Sequence, residues 1–94
     1  MIVSYRDKRT QAFVDGSFVP AFEAFRKQAV KRLAILEAAA SLSDLYGLPS
    51  NNLETLHGDR IGQWSIRVNR QWRICFEWPS GAPGPSNVEI VDYH

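Results

Sequence analysis

Two stretches of alternating side chains in the second half of the chain constrain its fold more than any other feature. Their apolar positions are Trp64, Ile66 and Val68 in the first and Trp72, Ile74 and Phe76 in the second. A period of two is typical of a strand with one buried face. The pattern therefore predicts a β-hairpin whose second face carries Arg67 and Arg73.

The loop of this hairpin fixes its register. A two-residue loop at Asn69-Arg70 would pair Ile66 with Arg73, whereas a three-residue loop 69–71 pairs Ile66 with Ile74 and keeps the apolar residues on one face. The second register sets Arg67 opposite Arg73, with side-chain roots about 5 Å apart. Like charges in that position repel unless an anion lies between them, and a guanidinium fork matches phosphate oxygens. The alternative is that both arginines are solvated or paired with acids such as Glu77 or Glu89.

The remaining patterns predict an α+β fold with helices on one face of a mostly antiparallel sheet. Apolar residues recur at steps of three and four from Pro20 to Ala40, which predicts one amphipathic helix, and 41–46 is either its frayed last turn or a separate short turn. A short strand at 2–5 and a short helix within 6–14 precede it. The strand candidates after Ser50 are 53–57, 63–68, 71–78 and 87–93, with a Pro- and Gly-rich loop at 79–86.

The bulk properties limit the cell compartment and the number of domains. With 94 residues, the chain is predicted to be one domain over 1–94. Cys75 is the only cysteine, so no internal disulfide forms, and the N-terminal residues lack the apolar stretch of a secretory signal. The longest apolar run, 33–40, is far short of the ~20 residues of a membrane span. We therefore expect a cytoplasmic protein with no membrane partner.

Charge is concentrated in the region of the hairpin although the whole chain carries only +1. The stretch from Gly58 to Phe76 contains one acid, Asp59, and four arginines: Arg60, Arg67, Arg70 and Arg73. Such a local basic patch on a near-neutral protein favours a phosphate-bearing partner such as RNA. We take all four as candidate RNA- or phosphate-binding residues.

The two histidines lie at the ends of strands that flank the hairpin. His57 ends one strand candidate, and His94 closes the chain after Asp92 and Tyr93. Imidazoles exchange protons near neutral pH, as the attack of a 2′-hydroxyl on its neighbouring phosphate requires. Regular alternation puts Asp92 and His94 on one side of the last strand and Tyr93 on the other, and a polar chain end is more often simply solvated. The spacing matches no metal-ligand motif, so neither a metal site nor a cofactor is expected.

The sequence resembles a known toxin family along its whole length. Residues 62–76, read as Gly-Gln-Trp-Ser-Ile-Arg-Val-Asn-Arg-Gln-Trp-Arg-Ile-Cys-Phe, together with the terminal Val-Glu-Ile-Val-Asp-Tyr-His of 88–94, closely resemble the HigB (GraT-like) toxins of the RelE/ParE superfamily. Residues 31–39 and 53–60 share the likeness. The hairpin and the terminal segment are specific in combination.

This resemblance implies a type II toxin that enters the ribosomal A site and cuts mRNA, leaving a 2′,3′-cyclic phosphate. It also implies a helix-turn-helix (HigA-like) antitoxin, through which alone the toxin would reach operator DNA. Matched by position, the functional residues of the family are His57, Asp92, Tyr93 and His94, with Arg73 contacting phosphate. Our role assignments are His57 as general base, His94 or Tyr93 as general acid, Asp92 as the residue that orients a histidine, and Arg67 beside Arg73 as a phosphate clamp.

Two other functions are consistent with the same fold. ParE toxins inhibit DNA gyrase by binding and lack the ribonuclease residues, so the presence of both histidines argues against that alternative. A plain RNA-binding domain would stack bases on aromatic side chains, yet Trp64, Trp72 and Phe76 fall on the predicted core face.

Overall fold

The computed structural model describes residues 1–92 and has the α+β architecture expected from the sequence. Its helices are α1 (Lys8–Val14), α2 (Arg26–Ala38) and α3 (Leu42–Tyr46), and its strands are β1 (Glu54–Thr55), β2 (Trp64–Arg67), β3 (Trp72–Glu77) and β4 (Ser86–Asp92). The strands form one antiparallel sheet in the order β1-β2-β3-β4. Among the described residues no helix is long and apolar enough to cross a membrane.

The register predicted for the hairpin is confirmed. Ile66 pairs with Ile74 and Arg67 pairs with Arg73. Beyond the ladder, the Val68 N–H donates to the Trp72 carbonyl at 3.0 Å. The Asn69 carboxamide oxygen accepts from the N–H groups of Gln71 and Trp72 at 2.9 and 2.8 Å, so an asparagine side chain closes the turn.

The single long helix predicted from Pro20 to Ala40 is wrong at both ends. Residues Pro20–Phe25 form a 3₁₀ helix, and α2 begins only at Arg26. Phe22 and Phe25 are both buried and both pack against Trp72, a spacing that suits the three-residue period of a 3₁₀ turn. At the other end Ala39 turns to extended backbone, and α3 follows as a separate short helix, one of the two alternatives left open by the sequence.

Both outer parts of the sheet are shorter than the sequence predicts. The strand expected at 2–5 is a single parallel bridge between Tyr5 and Val88. The strand expected at 53–57 is reduced to β1, because Asn52 before it has a left-handed backbone (φ 46°) and His57 after it begins a 3₁₀ turn at Gly58–Arg60. The short helix predicted within 6–14 is present as α1, and the Thr10 hydroxyl accepts from the Ile90 N–H on the edge of β4.

The two faces of the sheet differ in what they bury. One face packs against the helices and forms the hydrophobic core, whose sheet residues include Ile66, Ile74, Phe76, Val88 and Ile90. On the opposite face of β2 and β3 the buried side chains are Ser65, Arg73 and Cys75. A buried guanidinium on this second face is the feature from which the candidate site is built.

Candidate functional site

Three of the four predicted arginines line one cleft beside the hairpin loop. The cleft holds about 260 Å³, and its lining residues are Asn52, Glu54, Arg67, Asn69, Arg70 and Arg73. We call it the arginine cleft. Three guanidiniums against one carboxylate make it a site for an anion.

Arg73 is the most constrained of the three arginines. Its Nε donates to the Ser65 hydroxyl at 2.7 Å, and its Nη2 donates to the Asn52 carbonyl at 2.6 Å, with the Glu54 carboxylate 4.0 Å away. Only 10% of the side chain is exposed. Within residues 1–92 the Nη1 group makes no hydrogen bond, so its two N–H donors remain for a ligand in the cleft.

The Asn52 carbonyl is held in turn by packing around its neighbour Asn51. That side chain is fully buried; its amide donates to the Leu45 carbonyl in α3 at 3.1 Å, and its oxygen accepts from Arg32 of α2 at 2.9 Å. A left-handed backbone at Asn52 then directs its carbonyl at Arg73. The helical layer therefore sets the position of a charge on the far face of the sheet.

Arg67 and Arg70 are exposed residues at the rim of the cleft. The Arg67 Nε donates to the Asn69 carbonyl at 3.1 Å, a contact within its own loop, and Arg70 lies in the loop itself. The two residues predicted to face each other, Arg67 and Arg73, thus share a register position but differ in how firmly they are held.

Arg60, the fourth predicted arginine, is engaged elsewhere. Its Nη1 lies 3.0 Å from the Glu89 carboxylate on β4 and 3.1 Å from the Gln63 side-chain oxygen, and it does not line the arginine cleft. Glu89 is one of the acids considered as a partner for the hairpin arginines. The structure pairs it with Arg60 instead and places Glu54 nearest to Arg73.

His57 lies in a second groove around the edge of β1. This groove holds about 430 Å³, and its lining residues are Tyr46, Leu53, Glu54, Thr55, His57 and Trp64. We call it the histidine groove. Glu54 lines both depressions, so they adjoin at this residue.

Asp92 projects from the other face of the sheet. It pairs with Trp72, whereas Arg73 pairs with Val91, so alternation places Asp92 on the side of the tryptophan. Its carboxylate accepts from the Gln71 side chain at 2.9 Å. Tyr93 and His94, the other two predicted catalytic residues, lie outside the described residues 1–92.

Comparison with known proteins identifies the family of this chain. A family profile described as the RelE-like toxin of type II toxin-antitoxin system HigB matches residues 4–94. The chain belongs to the HigB-like toxin family. Membership makes it the toxin of a type II toxin-antitoxin system and implies an antitoxin partner.

Two curated relatives agree with the family. Toxin HigB-1 of Vibrio cholerae is 34% identical over 85 residues, which cover 86% of this chain and 87% of that protein. Endoribonuclease HigB of Proteus vulgaris is 34% identical over 97 residues and is covered in full, as is this chain. A solved YoeB/ParE toxin from Agrobacterium tumefaciens is 16% identical, with a TM-score of 0.47 over 99% of this chain and 97% of that one.

Three lining residues of this HigB-like toxin's arginine cleft were not predicted as site residues from the sequence: Asn52, Glu54 and Asn69. Asn69 was placed in the loop, and its side-chain role follows from the tendency of asparagine to bond nearby backbone. Asn52 gave a weak signal, as one of two consecutive asparagines after Pro49 and Ser50 in a turn-rich stretch. Glu54 gave none, because an isolated glutamate on a short strand is most often a solvated residue.

Cys75 is a buried packing residue of the toxin. Its side chain is fully buried, and burial raises the pKa of its thiol from 9.0 to about 11, with Glu89 adding to the shift and Arg60 and Arg73 opposing it. A protonated, inaccessible thiol is a poor nucleophile. Within residues 1–92 no group of three or more His, Cys, Asp or Glu side chains is arranged to hold a metal ion.

Proposed function

We propose that this toxin is an endoribonuclease that cuts mRNA in the ribosomal A site and thereby inhibits translation in the cytoplasm. The observation that carries the proposal is the arginine cleft, which Arg73 lines while two of its nitrogens are held by Ser65 and Asn52. A phosphodiester undergoing attack gains negative charge, and fixed cationic donors stabilise that charge without reorganising. The name of the Proteus vulgaris relative, Endoribonuclease HigB, supports the same chemistry.

The proposed reaction is attack by a ribose 2′-hydroxyl on the adjacent phosphorus. The 2′ O–H bond breaks and its proton passes to a general base, the new P–O bond closes a 2′,3′-cyclic phosphate, and the departing 5′ oxygen takes a proton from a general acid. Arg73, with Arg67 and Arg70 at the rim, binds the phosphate oxygens. His57 is our general base, Tyr93 or His94 the acid, and Asp92 the residue that orients a histidine.

Glu54 is a second candidate for the general base. Among the lining residues of the arginine cleft it is the one side chain that can accept a proton, because guanidiniums remain charged in proteins. His57 lines the neighbouring groove and not the arginine cleft. The two residues are therefore tested against each other.

The test is cleavage of a defined mRNA on programmed ribosomes by the wild-type toxin, H57Q and E54Q. We expect A-site cuts with cyclic phosphate ends from the wild type and a loss of about 10²-fold or more in the variant that lacks the base. Intact mRNA with wild-type toxin, together with loss of gyrase supercoiling, would replace the proposal with ParE-like inhibition.

Partners follow from the same proposal. The toxin would bind the ribosome and its mRNA when free, and a helix-turn-helix (HigA-like) antitoxin when inactive, reaching operator DNA only through that antitoxin. Co-purification of the toxin with the adjacent gene product, followed by an operator-binding assay with and without toxin, tests this part.

A further inference from the structure

The histidine groove contains an aromatic platform that the proposed chemistry does not use. Tyr46 ends α3, and 61% of the residue is exposed although it is a large aromatic. Its ring contacts the half-buried Trp64 ring edge to face, with the centroids 6.1 Å apart and the planes at 85°. An exposed ring in contact with a second ring leaves aromatic surface open along the wall of the groove.

One short stretch of chain links the platform to the arginine cleft. Leu45, the residue before Tyr46, is fully buried, and its carbonyl accepts from the Asn51 side chain. Asn51 in turn precedes the residue whose carbonyl holds Arg73. One short segment therefore positions both the ring and the phosphate-binding guanidinium.

The lining of the groove suits a nucleobase. Leu53 and the two rings supply apolar and aromatic surface, while Glu54 and Thr55 supply a carboxylate and a hydroxyl that can bond the edge of a base. Every base has a π-face, so a stacked ring binds single-stranded RNA with little dependence on sequence. The volume of about 430 Å³ is within the range of small-ligand pockets.

We propose that the histidine groove binds one base of the mRNA, stacked on Tyr46, while the adjoining phosphate lies in the arginine cleft. This inference rests on the proposed ribonuclease function. The two depressions share Glu54, so a single strand passes from one to the other around β1 without leaving the protein surface. The ribose between base and phosphate then lies on the side of His57, where its 2′-hydroxyl must lose a proton.

The experiment removes the base and the ring separately and together. Ribosomes are programmed with mRNAs that carry a single abasic ribonucleotide at each position of the A-site codon, and single-turnover cleavage is measured with the wild type, Y46A and Y46F. We expect one abasic position to slow the wild type about tenfold, the size of one lost stack. Y46A should cut intact mRNA about tenfold slower and show no further loss at that position. Y46F keeps the aromatic ring, so its loss of rate at that abasic position, relative to its own rate on intact mRNA, should match the wild-type loss.

The matched control is F18A, because Phe18 is an aromatic residue with 72% exposure that lines neither depression. F18A should keep both the wild-type rate and the wild-type response to the abasic site. The inference would be overturned if the abasic position slowed Y46A as much as it slows the wild type. It would also be overturned if an abasic nucleotide slowed Y46A equally at every position of the codon. A merely structural role of Tyr46 would leave the response to the missing base unchanged.

A second readout separates this inference from the ribonuclease proposal. Binding of a short single-stranded RNA and of its abasic counterpart is followed by the fluorescence of the toxin without ribosomes. Weaker binding of the abasic RNA by the wild type but not by Y46A supports the base site even if no mRNA is cut. Equal binding of both RNAs by the wild type refutes the base site even if mRNA cleavage is confirmed.

Discussion

The floor and the rim of the arginine cleft use the same side chain in opposite ways. Arg73 on the floor is buried, and two of its nitrogens are bonded to Ser65 and to the Asn52 carbonyl. Arg67 at the rim occupies the paired position on the next strand, yet it is exposed, and its hydrogen bond within residues 1–92 goes to its own loop. The Arg73 guanidinium is therefore positioned before a ligand binds, whereas the Arg67 guanidinium can adapt its position to the ligand.

A fixed charge contributes more to catalysis than an adaptable one. Donors that already point at the site of developing charge need no reorganisation during the reaction, and low solvent access strengthens their electrostatic effect. An exposed arginine mainly attracts the polyanion, and salt screens it. The floor should therefore govern the rate of the chemical step, and the rim should govern affinity.

The largest expected effect is the loss of Arg73. R73A should lower single-turnover cleavage on ribosomes by about 10²- to 10³-fold, the range seen when one preorganised donor is removed. R73K should recover little of this, because a lysine cannot bond Ser65 and Asn52 while also presenting a planar fork to phosphate. Wild-type activity of R73K would show that charge alone suffices at this position.

The hydrogen bond from Arg73 to the Asn52 carbonyl is tested by a matched pair of variants at Asn52. N52G keeps the backbone carbonyl and tolerates a φ of 46°, so it should stay near the wild-type rate. N52V places a β-branched side chain in a left-handed backbone and should lose activity together with roughly 1–2 kcal/mol of stability. Equal activity of the two variants would mean that the carbonyl does not position Arg73.

The next test concerns the buried layer on the face of the sheet that carries Arg73, to which Cys75 belongs. The pKa of the Cys75 thiol is raised to about 11, so its protonated form stabilises the fold fully below pH 9 and that contribution is lost as the pH rises from 9 through 11. Denaturant unfolding should show the wild type losing about 2 kcal/mol more than C75A between pH 9 and pH 11. Parallel curves for the two proteins would mean that water reaches this layer.

The sequence predicted the hairpin and its register because every step depended on neighbouring residues. Alternation fixed the faces, and the loop length fixed the pairing of Ile66 with Ile74. Helix α2 was recognised for the same reason, although its first turn was not, since the packing of Phe22 and Phe25 against Trp72 joins residues about fifty positions apart. A repeat of three or four does not distinguish a 3₁₀ turn from an α-helix without that contact.

The candidate site was predicted only in part, for a related reason. Which arginine is buried depends on the Asn52 carbonyl, and which one is neutralised depends on Glu89. Both partners lie more than twenty positions away along the chain. Spacing could identify four arginines as candidates but could not rank them, and it gave no sign that His57 lines the neighbouring groove and not the arginine cleft.

Substitution of a rim arginine should have a smaller effect, on the affinity for RNA and on its dependence on salt. R67A should weaken binding of single-stranded RNA about tenfold at low salt and reduce the slope of log affinity against log salt by about 0.7, the change expected for one phosphate contact. R70A should behave similarly, because both guanidiniums are exposed. If the loss of RNA affinity in R67A were the same at high salt, Arg67 would be a fixed, weakly screened charge like Arg73.

The smallest effect is expected for Arg60, whose charge is already balanced within the fold. Its ion pair with Glu89 is partly exposed, with 34% of the arginine side chain and 18% of the glutamate side chain accessible, and Arg6 lies 3.9 Å from the same carboxylate. Partly exposed pairs contribute about 0.2–1 kcal/mol, so R60A should cost no more than about 1 kcal/mol of stability and change cleavage less than about twofold. A double-mutant cycle of R60A with E89Q measures the pair itself, and the salt dependence of RNA binding should be unchanged in both single variants. A reduced salt slope in R60A alone would mean that RNA draws Arg60 away from Glu89. Arg60 would then belong to the rim, and the cleft would extend towards β4.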